Sequence, residues 1–94
     1  MLSPSTRKDK KLMLKLNDGR KIHFGQHGSQ TYVEGASDAK RAAYIARHRI
    51  REDWSTVNPG SASRFILWGE SRDLATNLRS FLKSMAHDKR CHRN

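Results

Sequence analysis

The chain has 94 residues, of which 35% are hydrophobic and 30% charged, with a formal net charge of +10. That length holds one domain near the lower limit for a self-sufficient core, which excludes an elaborate two-domain active-site cleft. The charge excess points to an anionic partner such as nucleic acid, an anionic membrane or an acidic protein surface, while the composition stays apolar enough to fold.

A single cysteine, Cys91, cannot form an internal disulfide, so the chemistry fits synthesis in a reducing compartment. The opening residues carry no apolar stretch of signal-peptide length, and no run is long enough to span a membrane. Residues 1–10 and 87–94 read as basic tails. Arg7, Lys8, Lys10 and the adjacent Lys11 gather around Asp9 at the front, and Lys89, Arg90 and Arg93 follow Asp88 at the back. Neither stretch has apolar periodicity, so free tails of this kind are expected to be disordered unless a neighbour pins them.

Between them, residues 11–86 read as one α+β domain in which a hairpin packs on two main helices and a short helical segment. Leu12, Leu14 and Leu16 alternate with Met13 and Lys15, and Ile22 and Phe24 alternate with Lys21 and His23. A two-residue Asp18-Gly19 turn would set Leu14 opposite His23. A three-residue loop, Asn17-Asp18-Gly19, sets Leu14 opposite Ile22 and Leu12 opposite Phe24, and that register is the expected one. The Gly-, Ser- and Gln-rich stretch after Phe24 reads as a loop.

Ser37 then offers an N-cap, and the spacing predicts a helix from Asp38 to near Trp54. Projected at 100° per residue, Ala39, Ala42, Ala43, Ala46 and Ile50 form one stripe, expected to face inward. Lys40, Arg41, Arg47, His48 and Arg51 form the opposite, basic flank. Pro59-Gly60 reads as a breaker, followed by one or two helical turns that bury Phe65, Ile66 and Trp68. Ser71 is expected to cap a last helix whose apolar face, Leu74, Leu78, Phe81, Leu82 and Met85, covers the hairpin. Trp54 and Trp68 are expected to fill the seams.

Chemistry is sparse. Of the five histidines, His87 and His92 flank Cys91, but three ligands at most on a basic tail do not make a zinc site, so no metal or cofactor is expected. The glycines form no phosphate-binding fingerprint. The basic flank of the central helix is different, because five Lys or Arg stand against Asp38 alone between positions 38 and 51. Arg outnumbers Lys there, which favours forked contact with carboxylate or phosphate. The candidate anion-binding residues are therefore Lys40, Arg41, Arg47, His48 and Arg51, with Lys8, Lys10, Lys11, Lys89, Arg90 and Arg93 from the ends. Glu52 and Asp53 sit where a helix dipole disfavours them, so they are expected to answer an arginine.

The sequence of motifs "KIHFG", "YIARHRIREDW" and "RFILWG", closed by an amphipathic helix, resembles a family of small basic proteins encoded by large double-stranded DNA viruses of eukaryotes. The resemblance covers about residues 11–85. It implies a protein made in the host-cell cytoplasm and incorporated into the virion, with no assigned enzymatic activity. Combined with the charge, it sets the expectation of a non-enzymatic minor capsid or cementing protein that bridges larger capsid proteins with acidic surfaces. The alternative is a sequence-nonspecific nucleic-acid-binding protein that accompanies viral DNA. No small-molecule substrate is expected in either case.

Overall fold

Alternating apolar and polar residues along Lys10–Lys15 (β2) and Lys21–Gln26 (β3) build an antiparallel ribbon with one buried face. Its register pairs Leu12 with Phe24 and Leu14 with Ile22, as the side-chain matching requires. The Leu16 N–H donates to the Arg20 carbonyl and the Gly19 N–H donates back to that of Leu16, which closes a three-residue loop. Gly19 has φ +93°, a left-handed conformation that L side chains rarely adopt.

The computed structural model of the protein describes the backbone of residues 1–93, with side chains through Met85. It departs from the sequence reading first at the N-terminus. Leu2–Pro4 is a strand (β1) that pairs antiparallel with β2, Leu2 opposite Leu14 and Pro4 opposite Leu12. The sheet thus has three strands in the order β1-β2-β3. Its outer strand is tied at both ends: the Met1 amine donates to the Lys15 carbonyl at 2.7 Å, and the Ser5 N–H donates to that of Lys11. Leu2 also packs against the core. Residues too few and too polar for a strand signal are ordered here by the ladder they complete. On the outer face, Ser5 Oγ meets His23 Nδ1 at 2.8 Å, which occupies a histidine that might otherwise suggest chemistry.

Past a short 3-10 turn at Tyr32–Glu34, α1 runs from Asp38 to His48, capped by Ser37, whose hydroxyl accepts the Lys40 N–H. It ends six residues before Trp54, because residues 49–51 pass into a turn. Its orientation is the reverse of the expected one. Arg41, Tyr44, Ile45 and His48 face the body, while Ala39, Ala42, Ala43 and Ala46 are exposed and Ile50 is 84% exposed. A large aromatic ring excludes far more water than an alanine methyl, so Tyr44 sets which side turns inward.

Pro59-Gly60 opens a helix instead of breaking one. Asn58 caps α2 (Pro59–Ala62) through a reciprocal pair with Ser61, and proline fits the first helical position, where its missing N–H is no loss. The chain continues as a π-helical segment, Ser63–Leu67, whose widened turn is closed by the Trp68 N–H donating to the Ser63 carbonyl. Finally α3 spans Leu74–Arg93, so its helix takes in positions 87–93, assigned from sequence to a tail. Its N-cap is Asp73, not Ser71: an Asp73 carboxylate oxygen accepts the Thr76 N–H at 3.1 Å. Ser71 instead supports the cap by accepting the Asp73 N–H.

The core is built from Leu14, Ile22 and Phe24 of the sheet, Tyr44, Ala62, Ile66, Leu67, Trp68 and Phe81. Its layering also differs from expectation. The π-helical segment lies between sheet and last helix: it packs on β3, and α3 packs chiefly on it. Leu82, expected inside, is 42% exposed, and Asn77 is buried in the same helix. Asn77 Nδ2 donates to the carbonyls of Ile66 (2.9 Å) and Ser71 (2.7 Å), and its Oδ1 accepts the Ser71 N–H.

Two stability predictions follow from these contacts. Deletion of residues 1–5 is expected to lower the urea midpoint, with a loss of about 1–3 kcal/mol, because the β2 edge and Leu2 packing go with it; an unchanged midpoint would restore the loose-tail reading. Asn77→Ala is expected to cost about 2–4 kcal/mol in the same assay, since it strands backbone groups that Asn77 satisfies.

Candidate anion-binding cleft

The inward turn of Tyr44 builds a site. Residues 40, 44, 47 and 48 share one side of α1 at helical spacing, and all four line a cleft of about 400 Å³. β3 contributes Phe24, Gly25 and Gln26, the following loop Ser29 and Gln30, and β2 contributes Lys10. Pro59, Gly60, Ser63 and Trp68 close the far side. Gly25 has φ +82°, and a Cβ there would collide with the Leu67 side chain, so glycine lets the sheet end approach the π-helical segment.

The floor is a stack of three rings. Tyr44 lies 4.1 Å from His48 and 4.4 Å from Trp68 between centroids, at interplanar angles of 24° and 8°. The Tyr44 hydroxyl reaches Ser63 Oγ at 3.0 Å. Burial raises the phenol pKa above its ordinary value, with the Ser63 hydrogen bond opposing, so the ring stays neutral.

At one wall, His48 Nδ1 and Glu52 Oε2 are 2.7 Å apart. The Glu52 N–H donates to the His48 carbonyl, which preserves helical i, i+4 spacing past the helix end. The other carboxylate oxygen accepts the Trp54 indole N–H at 2.8 Å. Glu52 therefore answers a histidine and a tryptophan, not an arginine, and Asp53 answers Ser55. The i, i+4 spacing of His48 and Glu52 is the local signal in the sequence that allows this pair.

The structure sorts the sequence-derived candidates by what they touch. Arg41 is withdrawn from the free surface: its Nε donates to the carbonyls of Trp68 (3.2 Å) and Gly69 (3.0 Å), and its guanidinium lies 5.3 Å from the Tyr32 ring centre. Lys11 is also engaged, by Glu34 at 3.1 Å. Lys8, Lys10, Lys40, Arg47 and Arg51 make no ion pair or side-chain hydrogen bond among the described residues. Three of them, Lys10, Lys40 and Arg47, meet at the cleft, and His48 joins them. Arg51 is exposed outside the lining and Lys8 is exposed near the β1–β2 turn. Lys89, Arg90 and Arg93 lie outside the described side chains, as do His87, Cys91 and His92. Among the described residues no cluster of three His, Cys, Asp or Glu could hold a metal, and no helix is long and apolar enough to cross a membrane.

The floor makes a specific prediction about Tyr44. Tyr44→Phe keeps the stack and loses one hydroxyl contact, with an expected cost of about 1 kcal/mol. Tyr44→Leu loses two ring contacts as well and is expected to cost about 1–2 kcal/mol more by chemical denaturation; equal costs would show that the rings contribute only bulk.

Residues 1–48 match the Family of unknown function (DUF5754), a segment that runs from β1 through α1. The uncharacterized protein L851 of Acanthamoeba polyphaga mimivirus is 41% identical over 56 residues, 52% of this chain and 56% of that protein. The chain thus spans little more than half the length of this relative. No solved structure matches. These findings support the viral resemblance at its coarser level, a family of unknown function with a relative in a large DNA virus. The family match takes in Lys10, Lys40, Arg47 and His48, and it includes the first ten residues that the motif-based resemblance left out. With half of its length matched, the chain belongs to the Family of unknown function (DUF5754).

Proposed function

We propose that this viral-family protein is a non-enzymatic, sequence-nonspecific nucleic-acid-binding protein. One observation carries the reading: three cations without an ion-pair partner among the described residues, Lys10, Lys40 and Arg47, line a single concave site. Concave, low-dielectric walls concentrate the field of such charges and raise the local concentration of an anionic chain. Arg7, Arg20 and Arg72, by contrast, sit beside Asp9, Asp18 and Asp38. The distribution of unpaired charge, rather than its total, supports a binding role. Lys8 and Arg51 are further exposed cations outside the lining.

The reading as a minor capsid or cementing protein keeps one observation of its own. The exposed alanines of α1, with Ile50 in the turn just beyond it, form a surface that a protein neighbour covers better than a polyphosphate does. The order of the N-terminal residues does not add to it, because β2 itself pairs with them. Under this reading the exposed arginines meet acidic capsid subunits inside the virion.

Filter binding of random-sequence single-stranded DNA at a series of salt concentrations separates the two. Affinity is expected to fall with log salt at a slope of about 0.7 per phosphate neutralised, and Lys40→Ala with Arg47→Ala is expected to reduce that slope by roughly 1.4. Arg7→Ala, which removes a cation already held by Asp9, is expected to leave the slope nearly unchanged. No salt-dependent binding, together with crosslinks to capsid subunits in intact particles, would transfer the assignment to the capsid reading.

A further inference from the structure

We infer that the cleft recognises a phosphomonoester, and that on nucleic acid it selects a 5′-phosphorylated strand end over the internal phosphodiesters. The inference rests on the nucleic-acid reading for its biological ligand, but its own grounds are the volume, charge count and neutralisation pattern of the cleft.

Volume comes first. About 400 Å³ lies in the range of small-ligand sites and suits a single phosphate-bearing unit with part of its sugar and base. A duplex, or a strand passing straight through, presents its phosphates to the rim and leaves the interior unfilled.

Charge decides what enters. Lys10 arrives from the sheet, and Lys40 and Arg47 arrive from two turns of α1. Glu52 is the only carboxylate in the lining, and both of its oxygens are already engaged, one by His48 and one by Trp54. It forms no ion pair with the three cations, none of which has an ion-pair partner among the described residues, and against its single charge they leave the lining a net excess of two positive charges. An internal phosphodiester brings one negative charge to such a site, whereas a phosphomonoester at neutral pH brings about 1.5–2 and three acceptor oxygens. The dianion meets a concentration of donors that the diester leaves partly unmatched. Arg47 supplies a fork that can span two phosphate oxygens, and the lysines act as point charges on the remainder.

Preorganisation adds to the preference. The Glu52 carboxylate, held from two sides, fixes the His48 ring against Tyr44, and the Tyr44 ring is fixed in turn against Trp68. A ligand entering the cleft meets a wall that is already set, so little ordering opposes binding. Gln26 at the end of β3 and Ser29 of the following loop add neutral polar groups to the lining.

The test uses the full chain and pairs of otherwise identical single-stranded oligonucleotides that end in a 5′-phosphate or a 5′-hydroxyl. The phosphorylated strand is expected to bind roughly tenfold or more tightly, as one added charge-assisted contact set implies. Adenosine monophosphate is expected to compete with it and adenosine is not; inorganic phosphate alone is expected to shift the NMR amide signals of residues around Lys40 and Arg47. Lys40→Ala and Arg47→Ala are each expected to erase the preference for the phosphorylated end, while Arg7→Ala preserves it; thermal melts confirm that all three variants fold. Equal affinity for both ends, with the salt slope intact, would overturn end recognition and leave the nucleic-acid reading standing. Binding of adenosine monophosphate without any oligonucleotide binding would retain the phosphomonoester site and remove nucleic acid as its ligand. Failure of every phosphate probe would overturn both.

Discussion

The free carbonyls at the end of the π-helical segment are the constraint on which the rest of this structure depends. A helix leaves its last carbonyls without intrahelical partners, and here those of Ile66, Trp68 and Gly69 lie in or beside the core. Asn77 takes the first from α3, Arg41 takes the second and third from α1, and Arg64 adds a second donor to Trp68 from one turn earlier. One buried terminus thereby ties together all three helices. The arginines suit the task because cations are favoured at a helix C-terminus, and the single Arg41 Nε–H is shared between two carbonyls. Burial and the nearby Arg41 guanidinium pull the Arg64 pKa down from its ordinary value, yet an arginine remains charged under these conditions. The Trp54 and Phe65 rings lie 5.3 and 4.8 Å from its guanidinium and shield it further.

That arrangement also shapes the electrostatics of the surface. A net charge of +10 suggests a uniformly basic body, but the fold divides the cations into different kinds of environment. Some meet carboxylates, and Arg41 and Arg64 meet carbonyls in the interior. Arg72 lies 4.0 Å from the Tyr32 ring centre and donates to the Tyr32 carbonyl, which fastens the loop before α1. Of the cations without an ion-pair partner among the described residues, Lys10, Lys40 and Arg47 line the cleft between α1 and the sheet end. The same inward face that presents Arg41 to the Trp68 carbonyl brings Lys40 and Arg47 beside Lys10, so the structural and the binding roles of this helix come from a single orientation.

How legible this was in the sequence depends on the range of the interaction. The β2–β3 hairpin was legible down to its register, because alternation, side-chain matching and one glycine act within sixteen residues of chain. The capped start of α1 and the helical character of the segment after Pro59 were legible for the same reason. The third strand was not, since Leu2–Pro4 contains one apolar residue able to signal it, and its order comes from a partner ten residues away. The facing of α1 was misjudged because the alanine stripe is periodic and therefore looks like a seam, whereas Tyr44 buries more area than several of those methyls together. Of the candidate cations, Lys40, Arg47 and His48 were placed on one flank correctly, but nothing local says that Lys10 joins them. Nor does anything local say that Arg41, adjacent to Lys40, points at carbonyls twenty-seven and twenty-eight residues further on.

The misjudged stripe and the cleft are two consequences of one choice. α1 packs instead through Tyr44, whose ring stacks on Trp68, and Trp68 is in turn held by the arginines on its carbonyl. The cations line the cleft beside this stack. A segment outside the first forty-eight residues, Pro59–Trp68, therefore supplies one ring of the floor and the far side of a site whose cationic groups lie in the family-matched half. The two halves of the chain are joined in one structural unit for a physical reason: the N-terminal half provides the charge, and the C-terminal half keeps it in a fixed, concave arrangement.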